Sequence, residues 1–129
     1  MSTFRTFEDI EAWKNSRELV KKIYEITDNG AFARDFGLKD QIRRASVSIM
    51  ANISEGFERS GNKEFIQFLS IAKGSVGEVR SHLYVAHDLG YISKESFDSL
   101  ADLARDTSTK VSKLMLYLQN SSLKGSKFK

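Results

Sequence analysis

Apolar residues recur at steps of three and four along most of the chain, the spacing that places side chains on one face of an α-helix. Breaks rich in Asn, Ser and Gly divide this pattern at residues 28–30, at 60–62 and at Gly90. The pattern therefore predicts four amphipathic helices. The first begins near Thr6 and stops at residues 28–30, the second covers 37–57, the third covers 63–89, and Ser93 caps the fourth.

The first predicted helix has a start signal in the sequence. Asp9 follows Thr6 by three residues, the spacing of a capping box that satisfies the free amides of a first turn. Residues 31–35 are predicted to form a loop. In the second and third helices, the positions predicted to face the core are Leu38, Ile42, Ala45, Ile49, Ile53, Phe57, Phe65, Phe68, Leu69, Ala72, Val76, Val79, Leu83 and Ala86.

Four amphipathic helices of similar length with short connections predict an all-α fold, an antiparallel up-down-up-down four-helix bundle. The absence of proline supports this prediction, because an average chain of this length carries roughly six prolines and helix interiors exclude them. The bundle is predicted to occupy residues 1–119. Residues 120–129, which are rich in Ser, Gly and Lys, are predicted to form a flexible basic tail.

The composition excludes several classes of function. The chain of 129 residues is long enough for one domain and has no cysteine, so disulfides, thiolate metal sites and cysteine nucleophiles are absent. His82 and His87 are five residues apart, about 140° around a helix, which prevents joint chelation of one metal. No cofactor or metal is expected. The longest apolar run is far shorter than a membrane-spanning helix of about twenty residues, and the first residues do not resemble a secretory signal, so a cytoplasmic protein is expected.

Polar residues form a strip beside the apolar face of the second and third helices. Its members are Gln41, Ser48, Asn52, Glu55, Ser75 and Glu78. A solvated helix face is usually rich in Lys and Glu, whereas this strip carries Ser, Asn and Gln next to Gly56 and Gly74. The strip is therefore predicted to form a hydrogen-bond network inside the chain or between subunits, in which Arg43, Arg44, Arg80 or backbone amides pair with the two glutamates.

Glu55 and Glu78 also raise the alternative of a catalytic carboxylate pair. We favour the structural network, because the sequence offers neither a nucleophile nor a metal site to accompany the two acids.

The net charge of the chain is only +3, but its basic residues are unevenly placed. Lys39, Arg43 and Arg44 cluster at the start of the second helix, and Lys73 and Arg80 share a stripe on the third. A local cationic surface of this kind suits a phosphate backbone, and the alternative is an ordinary solvated face.

Two strings of sequence resemble a known family. GLKDQIRRASVSIMANISEGF at residues 37–57 and EFIQFLSIAKGSVGEV at 64–79 are similar to the signature of four-helix-bundle proteins encoded in intervening sequences of bacterial 23S ribosomal RNA genes. FEDIEAW at residues 7–13 and LGYI at 89–92 match as well. Met50 stands where the family pattern has proline. The resemblance therefore supports a bend in the second helix less strongly than proline at this position would.

The resemblance implies a helical bundle that assembles as a ring, with a homopentamer as the expected form, and no established enzymatic activity. Structurally similar accessory proteins of diversity-generating retroelements form basic rings that bind nucleic acid and a reverse transcriptase. By that analogy RNA or DNA is expected to contact Lys39, Arg43, Arg44, Lys73 and Arg80. The alternative is a protein-interaction scaffold, such as an accessory subunit of a reverse transcriptase in a retroelement.

Overall fold

The structure, a computed structural model, describes residues 4–123 of the chain. This part of the protein consists of helices and turns without β-strands, which confirms the all-α prediction. A 3-10 helix spans Phe7–Asp9, and the α-helices are α1 (Glu11–Ile26), α2 (Gly30–Arg34), α3 (Phe36–Glu58), α4 (Asn62–Asp88) and α5 (Lys94–Leu123).

The first helix does not run unbroken from Thr6. The Asp9 carboxylate accepts hydrogen bonds from the amides of Arg5 at 2.9 Å and Thr6 at 3.2 Å, but these bonds stabilise the short 3-10 helix. Ile10 then adopts an extended conformation with φ −79° and ψ 122°, and α1 begins after it. This break buries Ile10 and brings the ring of Phe7 to 5.1 Å from that of Trp13, so tertiary packing overrides the continuous helix that the sequence predicted.

The prediction of a loop at 31–35 is wrong, because most of this segment belongs to the five-residue helix α2. A helix of this length has little stability of its own. It is held by Phe32, which is fully buried and whose ring lies 5.3 Å from that of Tyr91.

The predicted bounds of α3 and α4 and the predicted start of α5 are confirmed to within about one residue. Asp35 caps α3 by accepting from the amide of Leu38 at 3.1 Å. Gly90, with φ +75°, follows the end of α4, and the Ser93 hydroxyl accepts from the amide of Ser96 at the start of α5. α5 continues to Leu123, past the boundary predicted at residue 119, and residues 124–129 of the expected tail lie outside the described residues.

The core is formed by the apolar faces of the long helices. α1 packs on α3 and α5, and α4 packs on the same two helices. Of the predicted core positions, Leu38, Phe57 and Phe68 are half-buried and the others are buried. The largest fully buried side chains are Ile10, Leu19, Ile23, Phe32, Ile42, Ile49, Ile53, Phe65, Leu69, Val76, Leu83 and Leu118.

Contacts between neighbouring helices follow a regular order. Between α3 and α4, Ser48 pairs with Ser75 and Gly56 lies against Phe65. Successive contacts thus step forward along one helix and backward along the other. The same order holds between α4 and α5, where Asn62 donates to the carbonyl of Leu118 and the ring of Tyr84 packs on that of Phe97.

Candidate functional site

The five predicted basic residues lie in two separate places. Lys39, Arg43 and Arg44 lie on the first turns of α3, whereas Lys73 and Arg80 line a groove between α4 and α5. The sequence prediction therefore combined residues from two different places in the fold.

Arg43 makes contacts within the chain. Its Nε donates to the hydroxyl of Thr27 at 2.7 Å, its guanidinium donates to the carbonyl of Tyr24 at 3.3 Å, and it lies over the Tyr24 ring at 4.2 Å. These contacts fasten α3 to the end of α1. Arg44 is exposed and forms an ion pair with Asp40 at 2.9 Å, one turn earlier on the same helix.

Lys73 and Arg80 share their groove with residues of α5 that the sequence argument did not select. The groove has a volume of about 360 Å³, and its lining is completed by Arg105, Ser108, Thr109, Ser112 and Lys113. These five positions recur at three- and four-residue steps on one face of α5. That spacing was the signal available in the sequence, but it was hidden because the charges of α5 also follow the order that the helix dipole favours.

Three of the six residues in the predicted polar network come together between α3 and α4. The hydroxyls of Ser48 and Ser75 are 2.9 Å apart. The side-chain amide of Asn52 donates to the Ser48 carbonyl at 2.8 Å and to the Ser48 hydroxyl at 3.0 Å. Ser75 is buried and the other two are half-buried. This cluster links the two helices at mid-height.

Gln41, Glu55 and Glu78 lie outside this cluster on exposed positions. Glu55 pairs with Arg59 at 2.9 Å, a bond that raises the pKa of that guanidinium. Glu78 lies 3.4 Å from the Nε2 atom of His82. The predicted pairing of these glutamates with Arg43, Arg44 or Arg80 is therefore wrong. Each glutamate contacts a residue one turn later on its own helix, because an i, i+4 contact forms without crossing to another element.

Two of the glycines beside the strip have different surroundings. A Cβ added at Gly56 would lie 2.7 Å from the Cβ of Phe68 and 2.9 Å from the ring of Phe65, so α3 and α4 approach closely there. A Cβ at Gly74 would meet nothing within 4 Å. Gly74 belongs to an exposed surface, with Ile71 at 53% and Val47 at 39% exposure, which we call the outer α3–α4 face.

A polar contact also links α1 to α5. The Asp106 carboxylate accepts from the Asn15 amide at 2.7 Å and lies 3.3 Å from the Lys110 ammonium. The bond from Asn15, followed by that from Lys110, lowers the pKa of Asp106 below its ordinary value of 3.8.

Within residues 4–123, no three His, Asp or Glu side chains group as metal ligands would. In the same part of the chain, none of the helices is both long and apolar enough to span a membrane.

These features define an all-α protein of long amphipathic helices that carries a cationic groove between α4 and α5. The chain belongs to the 23S rRNA-intervening sequence protein family, whose model matches residues 8–113. No curated protein sequence matches the chain.

A solved structure has a similar fold. It is a protein of unknown function from the S23 ribosomal protein family of Bacteroides thetaiotaomicron, with a TM-score of 0.74 and 24% sequence identity. The match covers 81% of this chain and 97% of that one. At this level of identity the likeness concerns the fold alone.

Proposed function

We propose that this protein is a non-enzymatic, ring-forming helical bundle that associates with RNA or DNA in the cytoplasm through a basic surface. The observation that carries the proposal is the groove between α4 and α5, which gathers Lys73, Arg80, Arg105 and Lys113 without an acidic residue in its lining. Clustered cations attract phosphate backbones, and their binding releases the counterions that are condensed on the nucleic acid.

The fold expected for this function is an antiparallel up-down-up-down four-helix bundle built from α1, α3, α4 and α5. Two observations support it. Each of these helices packs on two of the others, and the contacts between neighbours step forward on one helix and backward on the next. The connections of a few residues between α3, α4 and α5 favour neighbours that run in opposite directions.

Assembly with further copies, expected as a homopentamer, is supported by the outer α3–α4 face. Its residues Val47 and Ile71 are exposed apolar side chains, and both lie within about one turn of the Ser48–Ser75 contact. Gly74 leaves open space beside them that permits close approach of another backbone. A second copy of the chain is the proposed occupant, because the named residues of this face are apolar or lack a side chain, and none of them is charged.

Native mass spectrometry tests the assembly. The wild type is expected as a single oligomer, and Ile71→Asp is expected to dissociate it. Leu116→Asp is the matched control, because Leu116 is similarly exposed at 58% but lies on α5. A wild-type monomer at micromolar concentration would contradict the ring.

Filter binding tests the association with nucleic acid. Structured RNA and duplex DNA are each titrated at a low and a moderate salt concentration. Binding is expected at low salt and should weaken steeply with added salt, because phosphate contacts release counterions. The absence of binding to either nucleic acid at low salt would end the proposal.

A protein-interaction scaffold, such as an accessory subunit of a reverse transcriptase, is the second candidate. It is favoured by an apolar pocket of about 560 Å³ between the N-terminal segment and α5, lined in part by Phe4, Ile10, Leu114 and Tyr117. Affinity capture from lysate with and without nuclease separates the two candidates. A reverse transcriptase retained after nuclease treatment supports the scaffold, and its loss on nuclease treatment supports nucleic-acid binding.

A further inference from the structure

The groove between α4 and α5 has an unusual chemical composition. Four cationic side chains and three hydroxyls line it, namely Lys73, Arg80, Arg105, Ser108, Thr109, Ser112 and Lys113. None of these lining residues is acidic. We call this set the α4–α5 groove.

Arg80 is the half-buried member of the cationic set. Its Nε atom is buried and has no hydrogen-bond partner among the described residues. A buried N–H group without an acceptor is destabilising, and the guanidinium is always protonated. Because Nε is closed to solvent, an anionic oxygen in the groove would instead contact the terminal N–H groups of this guanidinium, which lines the groove, in charge-assisted hydrogen bonds.

The other cations of the groove keep donors available. Within the described part of the chain, the observed ion pairs involve neither Lys73 nor Lys113. Arg105 donates to Asp102 at 2.7 Å, but that bond uses one of its five N–H donors. The nearby Asp106 is held by Asn15 and Lys110 on the side of α1. Among the acids of α5, Asp102 therefore offsets part of the charge of Arg105, whereas the charges of Lys73 and Lys113 are in no observed ion pair of the described residues.

The dimensions favour a chain of anions over a single ion. The seven-residue step from Lys73 to Arg80 corresponds to about 10 Å along α4, and the step from Arg105 to Lys113 corresponds to about 12 Å along α5. Cations spread over this length can contact successive oxyanions, whereas one small anion would contact only part of the set. Hydroxyls from Ser and Thr are also common donors to phosphate oxygens.

We infer that the α4–α5 groove binds successive phosphate groups of a single nucleic-acid strand, with Arg80, Arg105 and the two lysines as the charged contacts. This inference rests on the proposed association with nucleic acid and assigns it to one surface. It also adds Arg105, Ser108, Thr109, Ser112 and Lys113, residues of α5, to the contact set.

The test measures fluorescence anisotropy of a labelled 20-nucleotide single-stranded RNA with three forms of the full chain. They are the wild type, the double variant Lys73→Ala/Lys113→Ala, and the control Lys39→Ala/Arg44→Ala, which removes two cations from α3. The groove variant is expected to bind about tenfold or more weakly, and the slope of log K against log salt concentration is expected to become less steep by about 1.4. The affinity of the control is expected to fall less than threefold.

The outcomes separate the inference from the proposed function. If the wild type binds and only the control variant loses affinity, the function stands and the groove assignment is wrong. If the wild type does not bind RNA, pyrophosphate is titrated while the amide signals of residues 105–113 are followed by NMR. Shifts there would identify a site for free phosphate compounds and overturn binding of a nucleic-acid strand.

Arg80 provides a second, independent readout. If it serves a ligand rather than the fold, Arg80→Gln should weaken RNA binding about tenfold while leaving the midpoint of urea unfolding unchanged or raised. A structural role would instead lower that midpoint. A variant that unfolds more easily and binds RNA as well as the wild type would contradict the assignment of Arg80.

Discussion

Gly56 sets how closely α3 can approach α4. The helix interior normally disfavours glycine, but here the neighbouring residues Phe65 and Phe68 fill the space that a side chain would occupy. Glycine is therefore needed at this position for packing rather than for backbone conformation. Gly77 lies in the middle of α4 with open space around it, so it experiences no such restriction.

These two glycines should respond in opposite ways to alanine. Gly56→Ala forces its Cβ to 2.7 Å from that of Phe68 and is expected to lower the free energy of unfolding by about 1–3 kcal/mol. Gly77→Ala removes the entropic cost of glycine and is expected to raise it by up to about 1 kcal/mol. Urea denaturation measures both. Equal effects of the two substitutions would contradict the close approach at Gly56.

The polar cluster can be predicted only in part from single-helix patterns. Ser48 and Asn52 are one turn apart on α3, so their contact follows from helical spacing. The partner Ser75 depends on the register between two helices, which a sequence pattern does not specify. Glu55 shared the same stripe, but its long side chain extends to solvent and pairs with Arg59 on its own helix.

At the scale of elements, the hydroxyl contact between Ser48 and Ser75 couples α3 to α4. A double-mutant cycle with Ser48→Ala and Ser75→Ala should give a coupling free energy of about 0.5–1.5 kcal/mol, because the two hydroxyls satisfy each other in a half-buried site. Ser54→Ala is the control, since Ser54 donates only to the Ala51 carbonyl of its own helix. Urea denaturation provides the energies, and strictly additive single effects would exclude the coupling.

The Asn15–Asp106 contact couples α1 to α5 and depends on pH. Because the pKa of Asp106 is lowered in the folded protein, the contact stabilises the fold above the ordinary value of 3.8 and loses this effect as the pH falls through the lowered value. In Asn15→Ala the pKa of Asp106 is expected to rise toward 3.8, since the largest cause of its shift is removed. Carboxyl NMR titration measures this change, and an unchanged midpoint would contradict the role of Asn15.

Helices α3, α4 and α5 were predictable because each keeps a continuous apolar face over five or more turns. The short elements were not. α2 is too brief to show periodicity, and it forms because Phe32 enters the core. The break at Ile10 likewise depends on packing between Phe7 and Trp13, a tertiary effect that helix capping signals do not include.

At the scale of the whole molecule, the distribution of charge matters more than its sum. A net charge of +3 does not by itself indicate a nucleic-acid-binding protein. The fold gathers four cations from α4 and α5 into one groove, while Asp106 faces Asn15 and Lys110 and Asp102 pairs with Arg105. The sequence pattern selected Lys73 and Arg80 as candidate contacts. The α5 residues that share their groove were selected only once the two helices were placed side by side.

The most direct test of the proposed function is the salt dependence of binding to single-stranded RNA, measured by fluorescence anisotropy from low to moderate salt. If the four groove cations contact phosphates, the logarithm of the binding constant should fall linearly with the logarithm of salt concentration, with a slope of about −3 per bound subunit. Binding that does not change with salt, or no binding at low salt, would contradict association through a phosphate backbone.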